Sequence, residues 1–208
     1  MENEKHLFLK GNSGIGKTSL LLRCIRPYQD KIGGYLTQRL VNEKRETVGF
    51  TIVPIEEPLR PTRLYEENIP NVFIRKMELG FVKNQELFLK ESVKLLNQAV
   101  KQKKELILLD ELGGIELSDL KFKKKLYEVL KGEIPCMGVL KNYGNYKAMK
   151  ERIKINPMVD FARMELEEDM QSILKCKILD LTEDNYFERE QEIQCFLQNQ
   201  MGGKSKFE

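Results

Sequence analysis

Residues Gly11 to Thr18 read GNSGIGKT and match the spacing G-x-x-x-x-G-K-[ST]. A loop of this kind constrains the chain on both sides, because it works only between the end of a strand and the start of a helix. Both flanks are present. His6 to Lys10 (HLFLK) contains the apolar run Leu7-Phe8-Leu9, which suits a short buried strand. The residues after the loop, TSLLLRCIR, repeat Leu21, Leu22 and Ile25 at helical spacing. The glycines let the backbone wrap a phosphate chain, and the N–H groups of Ser13 to Lys17 converge on it with the helix dipole behind them. The expected phosphate-binding set is therefore Gly11, Asn12, Ser13, Gly14, Ile15, Gly16, Lys17, Thr18 and Ser19. Lys17 is expected to reach the β- and γ-phosphates as a point charge, and the Thr18 hydroxyl to sit on Mg²⁺.

The second informative stretch is Leu106 to Gly114, LILLDELGG. An apolar strand ending in an acid is the companion that a phosphate loop needs, so Asp110 is expected to hold Mg²⁺ directly or through water. In open α/β sheets ligands bind at the carboxyl ends of the strands, where the two motifs would meet. Glu111 follows directly and is read as the general base that orients and deprotonates water for in-line attack on the γ-phosphate. The plainer alternatives are a solvated acid at a strand end, or a cap on the next helix.

The rest of the chain alternates strand and helix, which predicts an α/β fold with a mainly parallel sheet. GGYLTQRL and ETVGFTIVPI, flanking Val41 to Arg45, predict a β-hairpin. Glu56 to Pro70 carries three prolines and reads as a surface loop, and Asn71 to Arg75 as a short strand. Asn84 to Lys104 predicts the longest helix, with Phe88, Leu95, Leu96, Ala99 and Val100 on its apolar face. Ser118 to Lys131 predicts another helix, and Ile134 to Leu140 a strand. From Lys141 to Leu174 the pattern weakens to helical fragments around Ala148 to Ile153 and Arg163 to Ile173, so this span is read as a lid or an insertion. Cys176 to Leu181 predicts the last strand, with Thr182 capping a helix that runs to about Gln198. The expected organisation is one domain over residues 1–198 and a disordered tail over 199–208.

At 208 residues with 41% hydrophobic residues the chain can bury a sizeable core. Its net charge of +3 gives no argument for a nucleic-acid or membrane partner. The lysines of KFKKK, Lys121 to Lys125, lie on an amphipathic helix and read as a solvated face. No apolar run reaches the length of a membrane span, and MENEKH does not resemble a secretory signal. The four cysteines are scattered and the single histidine is His6, so no zinc constellation is expected. The cytoplasm is the expected compartment, with Cys136 and Cys176 as core fillers.

On the loop GNSGIGKT, on GGYLTQR followed by VGF, on LILLDELGGIEL and on LTEDN at Leu181 to Asn185, the chain resembles the small P-loop nucleoside-triphosphatases. That family includes a thermophile enzyme and a human cancer-related one. The resemblance implies a three-layer RecA-like P-loop fold and slow, Mg²⁺-dependent hydrolysis of several nucleoside triphosphates to diphosphate and phosphate. By position it gives Lys17 and Thr18 the phosphate and metal roles, Asp110 that of the second-motif acid and Glu111 that of the water-activating base. The chain differs from the family pattern at Gln38-Arg39 and Tyr186, and in the length of the span from Lys141 to Leu174.

Two other functions share these motifs. A P-loop kinase needs an acceptor pocket and arginines over the phosphates, for which Arg152 and Arg163 are candidates, the alternative being surface arginines. A nucleotide-dependent switch would use hydrolysis only to reset a partner-binding state. Glu111 favours hydrolysis, because a kinase must avoid activating water.

Overall fold

The computed structural model describes residues 4–56, 58–144, 147 and 158–202, apart from the Ile115 side chain. The strands are β1 (His6–Lys10), β2 (Ile32–Val41), β3 (Thr47–Pro54), β4 (Thr62–Leu64), β5 (Val72–Met77), β6 (Gly80–Lys83), β7 (Leu106–Leu112), β8 (Cys136–Leu140) and β9 (Cys176–Asp180). The longer helices among the described residues are α1 (Lys17–Ile25), α2 (Gln85–Lys101), α3 (Leu120–Lys131), α4 (Met158–Ser172) and α5 (Tyr186–Met201). All described strands join one sheet in the order β6-β5-β3-β2-β7-β8-β1-β9, with β4 also on β2. The half from β2 to β9 is parallel, and β3, β5 and β6 extend it as an antiparallel meander.

Alternation along the parallel strands sorts side chains into two cores. Leu7, Leu9, Leu106, Leu108, Met137 and Val139 face α1 and α5, with Leu20, Leu21, Ile193 and Leu197. Phe8, Ile107, Leu109, Cys136 and Leu140 face α2, α3 and α4, with Phe88, Leu96, Phe122, Leu126 and Leu166. Strands buried on both faces need continuous apolar runs, which is why HLFLK and LILL carry no polar alternation. Each such side chain contributes about 1.5–3 kcal/mol on full burial. Asn84 caps α2 by accepting from Leu87 N–H (3.0 Å), and Asp119 caps α3 by accepting from Phe122 N–H (2.7 Å). This is the three-layer, mainly parallel α/β architecture expected, with the β2–β3 hairpin in place.

Several expectations need correction. The 56–70 span is not only surface loop: it buries Leu59 and Ile69 and contributes β4, which pairs parallel with β2. Val100 is exposed, off the apolar face of α2. The strand from Asn71 runs on to Met77 and turns into β6, a four-residue edge strand too short to show a period. Thr182 does not cap the last helix. Asn185 occupies that position, and its side chain instead accepts from Thr182 N–H (2.8 Å). The helix continues to Met201, because Met201 is buried against the α1 side of the sheet. The expected helical fragment at Arg163 to Ile173 is part of a longer helix, α4, described from Met158 to Ser172. Arg152, the fragment at 148–153 and the tail 203–208 lie outside the described residues.

His6, the single histidine, is fully buried in β1. Its Nδ1 accepts from Cys136 N–H (2.8 Å), so Nε2 carries the proton and donates to Leu130 O (2.9 Å). Burial pushes its pKa down to about 4. The unfolded chain takes up the proton near pH 6.5 while the fold resists it to about 4. Stability is therefore complete above pH 6.5 and falls by up to about 3 kcal/mol as the pH drops toward 4. Urea melts of wild type and His6→Gln at pH 7 and 4.5 should show a steeper loss in wild type. Equal slopes would contradict the assignment.

Candidate nucleotide site

The loop after β1 leads straight into α1, and Gly16 is the residue just before the helix, at φ +96°. A side chain there would be strained, and at Gly11 a Cβ would lie 2.6 Å from Leu181 O. These two positions explain the spelling of the motif. The Lys17 ammonium lies back over the loop, donating to Gly11 O (2.9 Å) and Asn12 O (2.7 Å). It thus already sits inside the curve that the loop describes.

β2 is longer than its neighbour β7: Tyr35 pairs with Leu109, and β4 takes up the same edge of β2 only from Arg39. In the gap the Thr37 N–H would be an unpaired edge donor. Asp110, at the end of β7, fills it. Its Oδ2 accepts from Thr37 N–H (3.0 Å) and Thr37 Oγ1 (2.6 Å), and its Oδ1 accepts from Thr18 Oγ1 (3.0 Å). Burial, aided by the charge of Glu111, pushes the Asp110 pKa up to about 6, against these three hydrogen bonds. Each bond to the carboxylate contributes about 1.5–3 kcal/mol. One carboxylate tied to the loop threonine, with no histidine or cysteine grouped with it among the described residues, fits a hard cation that takes its other ligands from phosphate and water. Thr18 and Asp110 are the residues that would hold Mg²⁺.

β7 does not end at Leu109. Leu109 pairs with Gly138 and Leu112 with Leu140, so Asp110 and Glu111 stand against the single residue Val139. This is a β-bulge, and Glu111 within it has φ +72°. A left-handed conformation costs a residue with a Cβ about 1–2 kcal/mol, and such strain gathers where a side chain must be aimed. The bulge lets two successive side chains serve one cleft, where an unbroken strand would send them to opposite faces. Glu111 is neither a free solvated acid nor a helix cap. Its carboxylate, half-exposed, is 3.2 Å from Lys141 Nζ.

Burial opposes the charge on Glu111, but the charges of Lys141, Lys17 and Lys83 outweigh it and hold the pKa below the ordinary carboxylate value. The same pairing raises Lys141 above the ordinary lysine value against its burial, with Glu116 also contributing. Lys83, set over the Phe88 ring at 5.5 Å, is pushed down to about 8 by burial and by the Lys141 charge.

The cleft holds about 280 Å³ and is lined by Ser13, Gly14, Gly16, Lys17, Thr18 and Ser19 from the loop and α1. Glu111 and Lys141 also line it, and Thr37, Arg39, Phe50 and Thr62 extend it along β2, β3 and β4. Lys17, Thr18 and Glu111 thus line one cleft, and Asp110 is joined to it through its hydrogen bond with Thr18.

Arg163 is neither a surface arginine nor one poised over the loop. It is buried in α4 and donates to the carbonyls of Gly113 and Lys141, with Glu167 Oε1 at 2.7 Å. Glu167 in turn accepts from Lys10 of β1 (2.9 Å). Lys141 was not legible as a site residue, because a lysine just after a strand carries no motif. Its position at a carboxyl strand end is the one signal available. Tyr186 lies against the loop, its hydroxyl 3.5 Å from a Cβ placed at Gly16, with Arg23 stacked over its ring at 5.6 Å.

The chain is 28% identical over 188 residues to the nucleoside-triphosphatase THEP1 of Thermotoga maritima, covering 88% of this chain and 99% of that one. It is 28% identical over 141 residues to THEP1 of Methanocaldococcus jannaschii, covering 64% of this chain and 76% of the relative. The crystal structure of THEP1 from Aquifex aeolicus superposes with a TM-score of 0.60 at 18% identity, over 92% of this chain and 98% of that one. The solution structure of a human cancer-related nucleoside triphosphatase gives 0.59 at 20%, over 94% and 98%. These two likenesses establish that the chain shares the fold of both structures. A family model described as NTPase matches residues 6–179, from the first strand of the sheet into the last, and on that match the chain belongs to the NTPase family.

Proposed function

We propose that the chain hydrolyses nucleoside 5′-triphosphates to the diphosphate and inorganic phosphate, with Mg²⁺ as cofactor and slow turnover. The observation that carries this reading is the bulge at Asp110-Glu111, which turns two successive carboxylates toward one phosphate loop.

The loop amides and Lys17 bind the β- and γ-phosphates and neutralise charge that grows on the bridging oxygen. Mg²⁺, when bound at Thr18 and Asp110, supplies Lewis-acid charge on the same phosphates. Thr37 holds Oδ2 of Asp110, which leaves Oδ1 facing Thr18 and the loop. Glu111 accepts a proton from water as the water oxygen bonds to the γ-phosphorus. The bond from that phosphorus to the β–γ bridging oxygen breaks, and its electron pair leaves with the diphosphate.

No helix among the described residues is long and apolar enough to cross a membrane. We propose the cytoplasm as the compartment, on the scattered cysteines, three of which are buried. A single nucleotide-binding domain is supported by the way every described strand joins one sheet.

Asp110→Asn tests the cation site. The amide oxygen can keep the Thr37 bonds, so the fold should persist, but a neutral group is a poorer ligand for a hard cation. The Mg²⁺ concentration for half-maximal phosphate release should rise on the order of 10- to 100-fold. An unchanged Mg²⁺ titration at wild-type activity would remove Asp110 from the metal.

A further inference from the structure

We infer that Lys141 reads the terminal phosphate. On arrival of a triphosphate its ammonium exchanges Glu111 for the γ-phosphate oxygens, ranking triphosphate over diphosphate and releasing Glu111 to water. The inference rests on the nucleoside-triphosphatase reading above and adds a residue to it.

β8 lies between β1, which carries the phosphate loop, and β7, which carries the bulge. The residues that follow β8 therefore stand between the two halves of the site. Lys141 Nζ meets Glu111 on the bulge (3.2 Å), and the next side chain, Asn142 Nδ2, donates to Asn12 Oδ1 of the loop (3.1 Å). Lys141 lines the same cleft as Lys17 and Thr18.

Its backbone is held at both its N–H and its carbonyl. Lys141 N–H donates to Leu112 O (2.7 Å), and its carbonyl is held by buried Arg163, which also holds Gly113 O. Arg163 is itself anchored through Glu167 to Lys10, the residue before the loop. One guanidinium thus clamps the backbones after β7 and after β8, fixing where the Lys141 stem begins. The head group stands beside Gly114, where an added Cβ would come within 2.8 Å of Nζ.

The ion pair in the present structure satisfies both charges, yet it occupies the carboxylate that must accept a water proton. A terminal phosphate brings more negative charge than one carboxylate, and oxygens that a lysine can meet as a point charge. It would also repel Glu111 unless a cation stood between them. Lys141, which lines the same cleft, would supply that cation, and a diphosphate, lacking the terminal group, would leave the pair intact. A purely structural ion pair predicts no such distinction.

The test is calorimetric binding of Mg²⁺–ADP and of the non-hydrolysable Mg²⁺–adenylyl imidodiphosphate to wild type, Lys141→Met and Lys141→Arg. Lys141→Met should lose about 10- to 100-fold in affinity for the imidodiphosphate. Its ADP affinity should stay within about twofold, which also certifies the fold. Lys141→Arg, still cationic, should keep most of the preference. Equal losses for both nucleotides, loss in neither, or an arginine variant no better than methionine would overturn the inference. Wild type that binds neither nucleotide would instead overturn the nucleoside-triphosphatase reading itself.

Discussion

Glu111→Gln lowers turnover by about 10²- to 10⁴-fold while nucleotide affinity does not fall by more than a few-fold. Glutamine keeps the size of the side chain at its place on the bulge, where the Glu111 backbone sits at φ +72°. The phosphate loop and Asp110 are untouched, so the binding determinants stay in place. What is lost is the ability to take a proton from water, worth roughly 3–5 kcal/mol of transition-state stabilisation. The Lys141 ammonium also loses its carboxylate partner, which leaves it more available to phosphate, not less. Single-turnover hydrolysis and equilibrium binding on one preparation check the result. Turnover within about twofold of wild type would make Glu111 a bystander, and a joint loss of binding would place it in the metal shell.

Lys17→Ala removes binding and hydrolysis together. Lys17 neutralises phosphate charge in the ground state as well as in the transition state, so its loss cannot be confined to kcat. Its ammonium is parked on Gly11 O and Asn12 O, two carbonyls of the loop it serves, and makes no contact on which a core element depends. The fold should therefore survive, with an unchanged thermal midpoint. Affinity should fall on the order of 100-fold, the scale of a lost charge-assisted contact in a partly buried site. Calorimetry that returns wild-type affinity would remove the loop from the phosphates.

The phosphate loop and the strand-borne acid were legible because their chemistry demands particular residues. Gly16 must be left-handed, Gly11 must pass within reach of Leu181 O, and Asp110 must end an apolar run. The two-sided core was legible for a related reason: strands such as LFL and LILL, covered on both faces, admit no polar residue. Other features left no such trace. A bulge depends on how β7 registers against β8, which is a property of two strands distant in sequence. Arg163 reads as one arginine on a charged helix, and only the tertiary fold sets it beneath the carbonyls of Gly113 and Lys141. Lys141 depends on strand order: β8 must lie between β7 and β1 before a lysine at its end can face both motifs. β4 and β6, of three and four residues, are too short for any periodicity to register.

Phosphate release from ATP, GTP, CTP, UTP and ITP, with and without Mg²⁺ and with no acceptor other than water, tests the central claim most directly. Inorganic phosphate and nucleoside diphosphate should form in equal amounts from several of these nucleotides, dependent on Mg²⁺ and abolished by Lys17→Ala. Nucleotide that binds at the loop but yields no phosphate until a nucleoside or other acceptor is added would contradict it, and would make the chain a phosphotransferase.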